Sequence, residues 1–171
     1  MNLFFAIVAV FVALLGFVVF FGAPYVPSKS KELRRAFTKL YKLSGNDVLV
    51  DIGSGDGIVL RVASECGARA VGYEINPLLV LISKFLSRRD EKVSVKQANV
   101  WKARFPNETS VVYVFGESRD IKKIVRLVQT EASRLSHDLV VISYGFKLPD
   151  ITVSKKLDAH FMYIISPLQA Q

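Results

Sequence analysis

The sequence is poor in the residues that staple or metallate small proteins. Its one cysteine, Cys66, excludes an intramolecular disulfide framework and a cysteine-based zinc site, and reads as a small buried residue on a helix. Its two histidines, His137 and His160, lie far apart and have no partner at metal-ligand spacing, so no metal is expected. Acid is the scarcer charge: 15 Asp and Glu against 23 Lys and Arg give a net charge of +8. No DNA- or RNA-binding motif accompanies that excess, and nucleic acid is not an expected partner. Internal repeats and low-complexity segments are lacking as well. Charge is missing altogether from residues 3 to 22, LFFAIVAVFVALLGFVVFFG.

Twenty such residues form a helix about 30 Å long, which matches a bilayer core, and a helix satisfies its own backbone there. A cleaved signal peptide would have a charged start, a shorter apolar run and a small-residue cleavage site. Here the chain opens Met1-Asn2, and Pro24 follows Gly22-Ala23. Residues 1–23 are therefore expected to be an uncleaved, single-pass anchor. No Lys or Arg precedes the run, whereas Lys29, Lys31, Arg34, Arg35, Lys39 and Lys42 follow it. Basic residues stay on the cytoplasmic side, which places the rest of the chain there, where these charges meet anionic headgroups. The start lacks the Arg-rich pattern of a transit peptide, which favours a prokaryotic source.

Residues 24–44 read as a juxtamembrane segment and helix. Pro24 and Pro27 end the first helix, and Ser28 or Ser30 caps the second. Leu33, Phe37, Leu40 and Tyr41 recur at helical spacing, and Ser44-Gly45-Asn46 breaks the pattern. Residues 45–171 then alternate. Strands are expected over 48–52, 68–73, 93–98, 111–115 and 139–144, helices over 58–66, 77–88 and 121–135, and a final hairpin within 151–166. Continuous apolar strands alternating with helices predict an α/β fold: a Rossmann-like, doubly wound, mostly parallel sheet with a C-terminal antiparallel edge hairpin. Ligands of such sheets bind at the carboxyl ends of the strands, at a topological switch point.

The Gly-rich stretch VLVDIGSGDG, residues 48–57, falls at that end of the first strand. Glycine costs roughly 0.5–1 kcal/mol inside a helix or strand, so Gly53, Gly55 and Gly57 signal close approach of backbone to a ligand beside a helix N-terminus. Dinucleotide enzymes use G-x-G-x-x-G, but Ile58 stands where the last glycine would be, and Asp51 and Asp56 flank the loop. Acids there repel a pyrophosphate and suit a ligand with an amino group and a sulfonium, such as S-adenosyl-L-methionine. Glu74, at the end of the second strand, suits a ribose diol, although dinucleotide enzymes use the same device. Asn99 is placed to bond an adenine edge and Trp101 to pack near it. The plainer alternatives are a core tryptophan and solvated acids at a structural turn.

VDIGSGDG resembles the first motif of class I, seven-strand S-adenosylmethionine-dependent methyltransferases, and GYEINP resembles their acidic second-strand motif. PYVPS, VDIGSGDGIVL, GYEINPLLV, NVWK and VVYVFG, in that order, resemble membrane-anchored protein-lysine N-methyltransferases of the mitochondrial inner membrane and their prokaryotic homologues, over residues 24 to 150. The resemblance implies that Gly53, Gly55 and Gly57 line the cofactor's methionine part, that Asp51 lies near its amino group and that Glu74 holds the ribose. Ser54, Asp56 and Asn76, among and beside them, join the cofactor set. Asn99 stands where the family commonly has Asp. Phe115-Gly116-Glu117-Ser118 stands where many amino-group methyltransferases carry D/N-P-P-Y/F, so no motif marks the amine site.

The function this implies is methylation of a membrane-protein lysine by a membrane-anchored enzyme, in the mitochondrial inner membrane if the source is eukaryotic. The nucleophile is a neutral amine, whereas free lysine is protonated at neutral pH; an apolar or aromatic pocket disfavours the ammonium. Positioning does most of the rest. Tyr25, Phe115, Glu117 and Tyr144 are the candidates around the amine. Two rivals are a methyltransferase for a lipid or small lipophilic amine, and a non-catalytic membrane scaffold.

Overall fold

The computed structural model describes Phe5, Ala6, Val8, Ala9, residues 30–115 and residues 120–168. The expected span thus lies almost wholly outside the described residues, as do the candidates Tyr25 and Glu117. No helix among the described residues is long and apolar enough to cross a membrane.

Helix α1 (Ser30–Arg35) runs into a π-helical turn over Ala36–Leu40. There follow β1 (Val48–Ile52), α2 (Ile58–Glu65), β2 (Arg69–Glu74), α3 (Pro77–Leu86), β3 (Val93–Gln97), a 3₁₀ turn (Val100–Lys102), β4 (Val111–Phe115), α4 (Ile121–Leu135), β5 (Leu139–Tyr144), β6 (Lys155–Leu157) and β7 (His160–Ile165). The strands form one sheet in the order β3-β2-β1-β4-β5-β7-β6. β1 to β5 are parallel. β7 runs antiparallel against β5 and against β6. The expected hairpin is present, but only β6 is at the edge; β7 lies inside it, in register with all of β5. β1 is buried at every position, as a strand covered on both faces must be.

Two helical layers cover the sheet. On one face Leu33, Phe37, Leu60 and Val80, from α1, its π turn, α2 and α3, share a core with Leu49 and Tyr113. On the other, Ile124, Val128 and Ala132 of α4 pack on Val50, Val112 and Val141. The residues expected to form a juxtamembrane helix are part of the first core: Ala36 and Phe37 are fully buried, and Phe37 meets Tyr113 edge-on at 5.7 Å. Tyr41 falls beyond the helix in extended backbone. Its hydroxyl donates to Asp47 (3.0 Å), which also accepts from Ser44 N–H, Ser44 Oγ and Ser110 Oγ. Burial alone would raise the Asp47 carboxyl, but these hydrogen bonds outweigh it and hold the group below its usual range. This knot closes the amino end of the sheet. The Gly-rich loop lies at the carboxyl end, and the order reverses between β1, which leads to β2 and β3, and β4, which leads to β5. The switch point is therefore between β1 and β4, beside the Gly-rich loop.

Candidate active site

The loop after β1 is pinned to the end of β2. Gly53 N–H and Ser54 N–H both donate to the Tyr73 carbonyl, at 3.0 and 3.1 Å, and Gly57 N–H closes the turn on the Ser54 carbonyl at 2.8 Å. Two glycines serve different ends. Gly53 has φ +77° and nothing within 4 Å of where a Cβ would be, so it presents bare backbone to open space. Gly57, with φ +78°, lies where a Cβ would meet Ser83 Oγ at 2.1 Å; it lets α3 approach the start of α2. A second close approach, absent from the sequence-based set, is Gly72 in β2. A Cβ there would fall 2.6 Å from Ser54 Cβ, directly beneath the loop.

Three acids surround this backbone. Glu74 is buried, and its two oxygens accept from Gly55 N–H (2.9 Å) and Asn76 N–H (2.7 Å). Asp56 turns toward α2, accepting from Ile58 N–H at 3.1 Å, with Arg61 donating to the Asp56 carbonyl at 2.6 Å. Asp51 is 2% exposed. Burial pushes its carboxyl well above the usual range, and the charges of Glu74 and Asp56 push it further. An opposite charge placed beside such a carboxyl favours its ionised form. The ammonium of S-adenosylmethionine fits it, and the open backbone at Gly53 fits a ligand lying across the strand ends. A pyrophosphate would add charge of the wrong sign.

The other cofactor candidates sit at strand ends with local jobs of their own. Asn76 caps α3, its side chain accepting from Leu78 N–H at 2.9 Å; its backbone, not its side chain, reaches Glu74. Asn99 caps the 3₁₀ turn by accepting from Trp101 N–H at 3.1 Å. Trp101 is 40% exposed, with Lys123 Nζ 5.8 Å from its ring centre, so it is not a core tryptophan.

On the far side of the switch point the ends of β4 and β5 bring Phe115 and Tyr144 together, ring centres 5.5 Å apart. The structure adds two residues that sequence reasoning missed. Tyr144 Oη donates to Glu32 Oε2 at 2.8 Å across 112 residues of chain, and His160, paired with Tyr144 in the β5–β7 register, meets that ring edge-on at 4.8 Å. His160 Nε2 lies 3.3 Å from Tyr113 Oη. Burial lowers the His160 pKa against the opposing pull of Glu32 and Asp158, so the imidazole is held neutral. The bond to Glu32 raises the Tyr144 pKa, keeping the phenol a donor. Nothing local could have signalled Glu32. A histidine opening the second hairpin strand was the available hint for His160.

The ANTKMT methyltransferase domain family matches residues 51–155, from Asp51 into β6. The chain belongs to this family. Its similar relatives include a lysine N-methyltransferase of Rattus norvegicus named for a subunit of ATP synthase, 30% identical over 155 residues, covering 86% of this chain and 69% of that protein. The protein of the same name from Homo sapiens is 33% identical over 132 residues, 75% of this chain and 54% of that one. A protein-lysine N-methyltransferase of Saccharolobus islandicus is 33% identical over 91 residues, 52% of this chain and 48% of that one. The chain thus spans about half to two thirds of the length of these curated relatives. Among solved structures, an RNA methyltransferase from Salinibacter ruber in complex with S-adenosyl-L-homocysteine matches with TM-score 0.73 and 25% identity, covering 85% of this chain and 97% of that one. The class I S-adenosylmethionine-dependent methyltransferase fold expected from VDIGSGDG and GYEINP is the fold observed, and the acid-lined loop agrees with the cofactor chemistry of that neighbour.

Proposed function

We propose that this chain is a membrane-anchored, S-adenosylmethionine-dependent protein-lysine N-methyltransferase acting on a lysine of a membrane protein, with its domain on the cytoplasmic face. The observation that carries the reading is the alignment of 86% of the chain with a relative named for methylating lysine on a subunit of ATP synthase. A second kind of relative, the adenine nucleotide translocase lysine N-methyltransferase of Mus musculus, is 34% identical over 83 residues. The uncharged stretch of residues 3–22 supports the anchor, and the basic residues after it support the orientation.

When bound, S-adenosylmethionine supplies an electrophilic methyl group on a sulfonium. Asp51 holds the amino group and Glu74 the ribose, while the backbone at Gly53 and Gly55 lets the ligand lie close. Phe115 and Tyr144 form the acceptor side. Burial of the acceptor amine beside them removes water from it and so favours the neutral form. Glu32 and His160 fix the Tyr144 ring without touching the acceptor. The proton lost from the lysine passes to water, and the site's contribution is alignment at near-attack distance.

The second reading is a nucleic-acid acceptor, favoured by the Salinibacter match. One experiment separates the acceptors. Membranes bearing the full chain are incubated with methyl-labelled cofactor, and lipid, RNA and hydrolysed protein are counted apart. Label in methyl-lysine is expected; label confined to RNA or to lipid would transfer the assignment. Reporters fused at the C-terminus test the orientation, and activity only of a periplasmic or lumenal reporter would refute it.

A further inference from the structure

Outside the site, α3 is built inside out. Val80 and Ser83 face inward and are buried, while Leu81 and Phe85 are 65% and 64% exposed and Leu78, Ile82 and Leu86 are exposed with them. These five fall at helical spacing along one outer stripe. Soluble monomers rarely leave so continuous an apolar patch bare. We propose that this face of α3 docks on the lipid bilayer, so that the domain lies against the membrane through α3 and does not hang from its N-terminal segment alone.

The flanking charges identify the occupant. From Ile75 to Arg89 the sequence contains no acid, and its charges are Lys84, Arg88 and Arg89, all exposed. The Arg88 guanidinium lies 4.4 Å from the Phe85 ring centre and donates to the Phe85 carbonyl at 2.8 Å. Its stem covers apolar surface while its charge stays at the rim, which is how such side chains sit at a headgroup boundary. Acids enter only at the Leu86 end, where Glu65, Asp90 and Glu91 lie beside Arg61, Arg89 and Lys92; an apolar stripe whose own helix carries only base suits anionic lipid. At 10 residues α3 is about 15 Å long, too short to span a bilayer and long enough to lie in its surface.

Position in the fold agrees. α3 shares its layer with α1, and α1 begins at Ser30, eight residues after the apolar stretch ends at Gly22. A bilayer reached by that stretch is within reach of α3. The opposite layer differs: α4 turns Lys122, Lys123 and Arg126 outward. α3 is also tied to the site, since Ser83 packs against Gly57 and the α3 cap, Asn76, holds Glu74 through its backbone N–H. Docking α3 therefore sets the height and tilt of the cofactor loop above the membrane.

The test uses the full chain in vesicles of equimolar phosphatidylcholine and phosphatidylglycerol. In a Cys66→Ala background, Leu81→Cys, Phe85→Cys and the control Lys122→Cys carry an environment-sensitive fluorophore, and lipids brominated in the acyl chain act as quencher. The expected result is a blue shift and loss of emission at 81 and 85, and neither at 122. Emission at 81 and 85 that matches 122 overturns the proposal. A blue shift without lipid quenching overturns it too and gives the face to protein, with cross-linking between copies identifying a second chain. The inference rests on the membrane association proposed above and not on methyl transfer. A protein that does not float with the vesicles overturns both, whereas one that floats with unquenched probes overturns only this one.

Discussion

Gly72→Ala should disarm the cofactor loop without touching any residue that faces a ligand. Gly72 lies within β2, and an added Cβ would stand 2.4 Å from Ser54 Oγ, 2.6 Å from Ser54 Cβ and 2.6 Å from Leu60 Cδ1. The Leu60 methyl can rotate away. Ser54 Oγ is buried without a hydrogen-bond partner and can turn at little cost. Ser54 Cβ moves only with its backbone. Opening that 2.6 Å contact to 3.4 Å, where ordinary contact begins, drives the loop back by about 0.8 Å. Overpacking of this kind costs about 1–3 kcal/mol of stability, and a displacement near 1 Å at a reacting site costs about 10²-fold in rate. Calorimetric titration of S-adenosylmethionine into the purified chain in detergent should show affinity at least about tenfold weaker, the equivalent of 1.4 kcal/mol, with the circular dichroism of the folded protein retained. Adding Ser54→Gly to Gly72→Ala removes the obstructing carbon and should restore most of the affinity. A folded Gly72→Ala protein that binds as tightly as the native one would refute the reasoning.

Glu74→Ala removes an acceptor that holds Gly55 and Asn76 as well as the expected ribose contact; with charge-assisted bonds worth about 1.5–3 kcal/mol each, affinity for the cofactor should fall at least tenfold by calorimetry. For Asp51 the sign follows from its raised carboxyl. The folded, ligand-free protein keeps this proton to higher pH than the unfolded chain, so stability declines as pH rises from about 3.9 toward the raised value, and a cationic ligand binds more tightly as pH rises through it. Asp51→Asn should flatten both trends in melting and titration series run across pH, and native binding should release a proton, read as a dependence of the binding heat on buffer ionisation. Tyr144→Phe deletes the hydroxyl bonded to Glu32 and should cost about 1 kcal/mol of stability; cofactor affinity should stay level while methyl transfer slows, and an equal loss in both would place Tyr144 on the cofactor side instead.

The parts of the fold legible in the sequence were those set by short-range chemistry. β1, β4, α4 and β5 keep the limits expected of them, because each is an apolar or helically periodic run bounded by polar or turn residues. α3 stops at Leu86 rather than Arg88, a difference of end fraying. Spacing alone could not place α1. Leu33, Phe37 and Leu40 would suit a helix lying on lipid as well as one packed on a sheet, and only the contact with Tyr113 decides. The gathering of the acids and glycines around one loop was legible because they are tied to strand ends. Gly72 was not, since a glycine inside a strand carries no label saying which loop lies over it. Asn76 illustrates the reverse: an Asn before a proline at the first helical position is a capping signal, and the side chain follows that signal.

The place of β7 has a consequence for how the chain is made. β5 has no partner on its outer side until residues 160–165 pair with it, and α1 rests on a core that includes Tyr113, Ile142 and Met162. On the ribosome, α1 emerges well before the strands that cover it. Until then the inner side of α1 and the edge of β5 are bare, with contacts of long sequence separation still to form. A nascent chain released before β7 would expose an unpaired strand edge and the underside of α1 together. Completion of this domain is thus a late, all-at-once event of synthesis, and a stop codon shortly before residue 160 should yield a product cleared by proteolysis rather than a shortened enzyme.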